Sequence, residues 1–233
     1  MMRKIHYYFG WFNGVIPQKI AQSLNGDISD KKSLAIITTA PSNYEYTDGM
    51  LAFTKDTWFE SAGVFFGNYH SIDYRITKEE AHTLLKSASA ILLHGGYPDE
   101  LKFFIEEYEL AKAIEESAAA VIMGASAGGM NMSAKFAYGK KIDDDLREPT
   151  IIYDGLSLDS FALQSHAIDS LEGLARNEHV KNYLFPLSYD IDVYVACEES
   201  TIRTESDKFD VMGSVYLISN SHIQKVEETF WGR

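Results

Sequence analysis

The chain has 233 residues, and a hydrophobic share of 45% is ample for a real core, which argues against disorder. A formal net charge of −13, with no basic cluster to offset it, excludes nucleic acid and anionic membrane as expected partners. Cys197 is the only cysteine, so an intramolecular disulfide and a cysteine zinc site are excluded, and a reducing, cytoplasmic compartment is the expectation.

The first residues, Met1 to Phe9, start basic, but the apolar run is short, aromatic and broken by Gly10. They read as a first strand, Ile5 to Trp11, and not as a signal peptide. A helical pattern follows from Ile16 to Leu24, with Asn25-Gly26-Asp27 expected to stop it. Ser33 to Thr39 is an apolar buried strand closed by Ala40-Pro41, and Thr47-Asp48 is expected to open a helix reaching about Ala62. A third strand falls within Gly63 to Arg75. Thr77 and Glu80 have capping-box spacing, and Ala88 to Leu93 is a fourth strand ending in His94-Gly95-Gly96-Tyr97-Pro98. Pro98 to Ser117 reads as one long acidic helix, Ala118 to Met123 as a buried strand, and Met130 to Phe136 as a helix. Alternation at this spacing predicts an α/β fold with a doubly wound, mostly parallel sheet.

Beyond Phe136 the pattern changes to shorter strands: Thr150–Tyr153, Phe161–His166, Val193–Cys197, Ser200–Thr204, Val215–Ile218 and His222–Val226. One helix intervenes near Leu171–Leu184. No linker, repeat or low-complexity tract interrupts this, so a single domain over 1–233 is expected.

Gly124-Ala125-Ser126-Ala127-Gly128 carries the chemistry. A serine on a sharp strand-to-helix turn has a strained backbone, and side chains two positions either side would collide; glycine removes both collisions. The following amides suit a developing oxyanion. The plainer reading is a glycine-softened junction whose serine caps the helix. Serine needs a base, and His166, ending an apolar strand about forty positions later, is the candidate among the histidines. Asp143, Asp144, Asp145 and Glu148 are candidates for the orienting acid, although three adjacent aspartates also suit a solvated turn. His82 reads as a solvated helix residue, and His6 and His222 as strand residues away from any other signal.

The turn Gly124 to Gly129 resembles the nucleophile turn of the S51 serine peptidases, the dipeptidase E and cyanophycinase group. Leu93-His94-Gly95-Gly96-Tyr97-Pro98-Asp99-Glu100-Leu101 resembles that family's glycine loop. Leu163-Gln164-Ser165-His166 resembles its strand ending in histidine, and Cys197 to Ile202 and Val211-Met212-Gly213 resemble two later turns. The ordered set spans about residues 33 to 226.

This resemblance implies a flavodoxin-like, class I glutamine amidotransferase-like three-layer sandwich, with Ser126 as nucleophile and His166 as base. The amides of Gly96 and Ala127 would form the oxyanion hole. Family spacing favours Asp144, then Asp145, as the acid. Gly95, Tyr97 and Arg176 fall at substrate-binding positions; a solvated helix arginine is the competing reading of the last. His94, Tyr97 and His179 depart from the family pattern, which leaves room for a substrate other than an Asp-X dipeptide. The expected activity is hydrolysis of a small peptide or isopeptide, with no cofactor and no metal; the partner is that substrate, and a homodimer is admitted. A catalytically silent binding or sensor protein, a small-ester esterase and a nucleotide-binding flavodoxin-like protein are the alternatives.

Overall fold

A computed structural model describes residues 4–139, 148–165, 170–206 and 208–229. In chain order its first half holds β1 (Ile5–Phe9), α1 (Gln18–Asp27), β2 (Ser33–Ile37), α2 (Tyr44–Phe53), β3 (Asn68–Ile72), α3 (Lys78–Ser87), β4 (Ala90–Leu93), α4 (Pro98–Glu107), α5 (Leu110–Glu115), β5 (Val121–Ala125) and α6 (Ala127–Met132). The second half holds β6 (Lys135–Tyr138), β7 (Ile151–Asp154), β8 (Ala162–Ser165), α7 (Leu171–Arg176), α8 (Phe185–Leu187), β9 (Val193–Ala196), β10 (Thr201–Glu205), β11 (Lys208–Met212), β12 (Val215–Ser219) and β13 (His222–Lys225).

The larger sheet has the order β11-β10-β1-β5-β4-β2-β3. Its β1, β5, β4, β2 and β3 run parallel, and β10 and β11 extend it antiparallel beyond β1. The expected doubly wound, mostly parallel α/β architecture is therefore present. Alternate side chains along each strand serve opposite faces. Tyr8, Ile37, Leu93 and Ile122 pack with α3, α4 and α5 on one side. Tyr7, Phe9, Ile36, Leu92 and Met123 pack with α1 and the Trp58–Phe59 turn on the other. A second, mixed sheet, β13-β12-β9-β8-β6-β7, buries Ala162, Val193 and Val195 against α7 and α8.

Several boundaries differ from expectation, each for a local reason. The first helix continues through Asn25-Gly26-Asp27, because the Ile28 amide still donates to the Leu24 carbonyl at 2.9 Å. Asn43 and not Thr47 starts α2: its side chain accepts from the Tyr46 amide at 3.1 Å. Thr47 is instead buried, with its hydroxyl 3.2 Å from that of Thr38. The Thr77–Glu80 capping box is present as expected. The long acidic helix is broken at Glu109, whose φ of 51° ends α4. Nor does the helix after Ser126 reach Phe136. The Ser133 hydroxyl donates to the Met130 carbonyl at the end of α6, and Phe136 stacks on Tyr153 across the β6–β7 pair.

Candidate active site

The strand order puts a switch point between β2 and β4: β2 leads outward to β3, whereas β4 lies on its other side, beside β5. Crevices at the carboxyl ends of strands flanking such a switch are where open α/β sheets bind ligands. Thr39 follows β2 there, His94-Gly95-Gly96 follow β4, and Ser126 follows β5.

Ser126 stands between β5 and α6 with φ 50° and ψ −114°, a conformation that costs a non-glycine residue on the order of 1–3 kcal/mol. Its amide continues the ladder to the Phe9 carbonyl at 2.9 Å, while its carbonyl accepts from Met130 at 3.0 Å to start α6. Both backbone groups are thus fixed. The hydroxyl does not cap the helix, so the plainer reading of this serine fails. The residue is 8% exposed. The flanking glycines have the predicted steric cause. A Cβ on Gly124 would lie 2.6 Å from the Gly129 nitrogen, and one on Gly128 would overlap the Leu93 carbonyl of β4.

The glycine loop lies alongside. β4 and β5 pair Leu93 with Gly124, and a Cβ on Gly95 would sit 3.4 Å from the Ala125 carbonyl and 2.6 Å from the Trp11 ring. Gly96 has φ 144°, open only to glycine, and a Cβ there would overlap the Thr39 hydroxyl. The Gly95 carbonyl accepts from Thr39 Oγ1 at 2.8 Å and from His94 Nδ1 at 3.2 Å. His94 is buried, with Nε2 2.9 Å from Thr54 Oγ1 and its ring stacked on Trp58 at 5.6 Å and 11°. Burial holds its pKa down at about 4, against the opposing hydrogen bond to Gly95, so the ring is neutral at neutral pH. Tyr97 follows, 49% exposed at the start of α4.

His166, Asp143, Asp144 and Asp145 lie outside the described residues. The residue before the histidine does not: Ser165 Oγ reaches the Ser126 carbonyl at 3.4 Å, bringing the carboxyl end of β8 against the serine turn. A cavity of about 750 Å³ opens beside the end of β8; Ser165 lines it, whereas Ser126, Gly96 and Ala127 do not. Gln164, Ser165, Glu148, Tyr138, Asn177 and His179 are among its walls. Glu148, the fourth candidate acid, is therefore at the cavity. Arg176 is not among the lining residues; its side chain is 77% exposed and pairs with Glu172 one helical turn back. His179, three positions later, does face the cavity, 3.2 Å from Gln164 Oε1 and packed on Tyr183.

Reading by pattern missed three things. Thr39 and Thr54 carry no motif, and only the end of an apolar strand marks the first. His6 is not isolated: Asp159 Oδ2 lies 2.8 Å from its Nδ1 and accepts from Tyr8 at 2.5 Å and Thr204 at 3.0 Å. Burial first, then that carboxylate, push the Tyr8 phenol well above its ordinary pKa. His82 is half-buried and not solvated, its Nε2 donating to the Tyr108 carbonyl at 2.7 Å.

A parallel α/β sheet with a strained serine turn at its carboxyl edge, beside a glycine loop from the next strand, is the architecture of a serine-nucleophile enzyme. The chain belongs to peptidase family S51, whose sequence model matches residues 16–212, and it is a serine peptidase. Two solved structures are similar to it. One is a peptidase from an acI-B1 Actinobacterium, at 16% identity and TM-score 0.67, covering 97% of this chain and 95% of that one. The other is a putative peptidase E protein from Listeria monocytogenes EGD-e, at 18% identity and TM-score 0.60, covering 90% and 98%. Comparison with curated protein sequences finds no match. Among the described residues no helix is long and apolar enough to cross a membrane.

Proposed function

We propose that this peptidase hydrolyses a short, dipeptide-sized substrate through an acyl-enzyme on Ser126, with His166 as general base. Asp144, or Asp145 beside it, orients the imidazole, and the amides of Gly96 and Ala127 receive the oxyanion. The observation that carries this reading is the backbone of Ser126. A buried serine held at φ 50° by fixed hydrogen bonds on both its amide and its carbonyl, yet capping nothing, keeps its strain for a purpose other than stability. The Ser165 contact supports His166 as the base, since it brings the end of β8 to the same turn.

In the first step Ser126 Oγ attacks the scissile carbonyl as His166 takes its proton. The tetrahedral oxyanion collapses, and the amine leaves with the proton returned by His166. Water then enters by the same route, and its hydroxyl group releases the acid while Ser126 recovers its hydrogen. The polar walls contributed by Glu148, Asn177 and His179 suit the substrate's charged ends. A cytoplasmic location fits the single cysteine.

A panel of dipeptides beginning with Asp, Glu, Lys and Leu, run beside p-nitrophenyl esters, tests this. Peptide turnover that Ser126→Ala abolishes, with esters cut slowly or not at all, is the expected result. Ester hydrolysis without peptide hydrolysis would favour an esterase, and no turnover of either a silent binding protein.

A further inference from the structure

We propose that Thr39 and His94 are positioning residues for the oxyanion site: by holding the Gly95 carbonyl they aim the Gly96 N–H. This rests on the reading of Gly96 as an oxyanion donor. The peptide between Gly95 and Gly96 is planar and trans, so its carbonyl and its N–H point in opposite directions. Fixing one fixes the other.

That peptide needs fixing. It lies between two glycines, and both are required by close approach, Gly95 against Trp11 and Gly96 against Thr39. Glycine on either side removes the steric barrier that would ordinarily keep the plane from turning over. Two side chains, one from the end of β2 and one from His94 within the loop, replace what the glycines give up. Thr39, from the end of β2, donates to the Gly95 oxygen at 2.8 Å, and His94 donates from Nδ1 at 3.2 Å. A carbonyl oxygen has two lone pairs, and both are used.

The histidine is itself locked. A carbonyl can only accept, so the single hydrogen of the neutral ring resides on Nδ1, and Nε2 accepts from the Thr54 hydroxyl at 2.9 Å. The ring also stacks on Trp58 and makes a T-shaped contact with Trp11 at a centroid separation of 5.7 Å, so packing adds to the two hydrogen bonds that hold it. Among the described residues the Gly96 amide has no acceptor of its own, as a donor kept for substrate requires. The chain thus spends a buried histidine on a position where the resemblance to the family expects glycine.

The test compares Thr39→Val, which keeps the branched shape and loses the donor, with Thr39→Ser, which keeps the donor. Two readouts are taken: steady-state constants on the best dipeptide, and the rate at which a fluorophosphonate probe labels Ser126. Loss of an oxyanion donor typically costs on the order of 10²–10³ in rate, so loosening one of two tethers should cost about tenfold. The expected result is a kcat and a labelling rate lower by about tenfold in Thr39→Val, a KM within about twofold, and recovery of most of the rate in Thr39→Ser. Unchanged kcat in a folded Thr39→Val protein overturns the proposal. So does an equal loss in both variants, or a loss appearing mainly in KM. If Thr39→Val does not fold, Thr54→Val, which removes the partner of His94 Nε2, is judged by the same split, with a smaller decrease expected. Wild-type protein that is not labelled at Ser126 would sink the underlying site assignment instead, and this proposal with it.

Discussion

Ser126→Gly should make the protein more stable than Ser126→Ala while both variants are inactive. At φ 50° and ψ −114°, any residue with a Cβ holds strain on the order of 1–3 kcal/mol, and alanine keeps all of it. Glycine releases the strain but costs about 0.5–1 kcal/mol through the greater freedom of its unfolded chain. The balance favours glycine by about 1 kcal/mol. In a protein of this size that corresponds to a rise of about 2–4 °C in midpoint relative to Ser126→Ala. Calorimetry on the two variants and wild type, at one pH and protein concentration, measures it directly. A Ser126→Gly midpoint at or below that of Ser126→Ala would refute the claim that the turn stores strain.

Other outcomes follow from the same geometry. The folded-state pKa of His94, about 4, lies below the ordinary histidine value of 6.5, so the unfolded chain takes up the proton first. Stability should accordingly be flat above about pH 6.5 and fall by roughly 3 kcal/mol toward pH 4, and this component should vanish from the urea-unfolding profile of His94→Gln. A difference between the two profiles that does not vary with pH would contradict it. Gly128→Ala drives a methyl into the Leu93 carbonyl, a backbone atom in a central strand, and should cost about 2–3 kcal/mol; a midpoint within 1 °C of wild type, roughly the noise of a 0.5 kcal/mol effect, would contradict it. Arg203, 8% exposed, donates to Asp27 at 2.8 Å and Glu205 at 2.9 Å. Arg203→Met should cost about 3 kcal/mol by removing the guanidinium that those two carboxylates share, and Asp27→Asn should restore part of it in urea unfolding. A cost under about 1 kcal/mol would mean the cluster is effectively solvated.

The parallel core was legible because buried parallel strands are short apolar runs between turns, and Ser33–Ile37, Ala90–Leu93 and Val121–Ala125 are just that. The break at Glu109 was not, since a left-handed glutamate carries no glycine or asparagine signal. Likewise β6 was hidden: the residues after Met132 are as compatible with a helix as with a strand until Tyr153 supplies a stacking partner for Phe136. At the site, the serine turn was readable because its glycines answer local collisions within five residues. Thr39 could not be read, because what it holds is a backbone carbonyl 56 positions away, and carbonyls leave no mark on composition. The histidine that sequence pattern treats only as a departure from glycine turns out to be packed against two tryptophans, with its Nδ1 on that same carbonyl.

The proposed chemistry stands or falls with Ser126 as the attacking group. Incubating the intact protein with a fluorophosphonate and mapping the adduct by peptide mass spectrometry tests it most directly. One phosphonyl group is expected, on the peptide containing Ser126, with loss of dipeptide hydrolysis in proportion to labelling and no adduct in Ser126→Ala. Dipeptide hydrolysis that persists in fully labelled protein, or an adduct on a different serine that tracks the loss of activity, would contradict it.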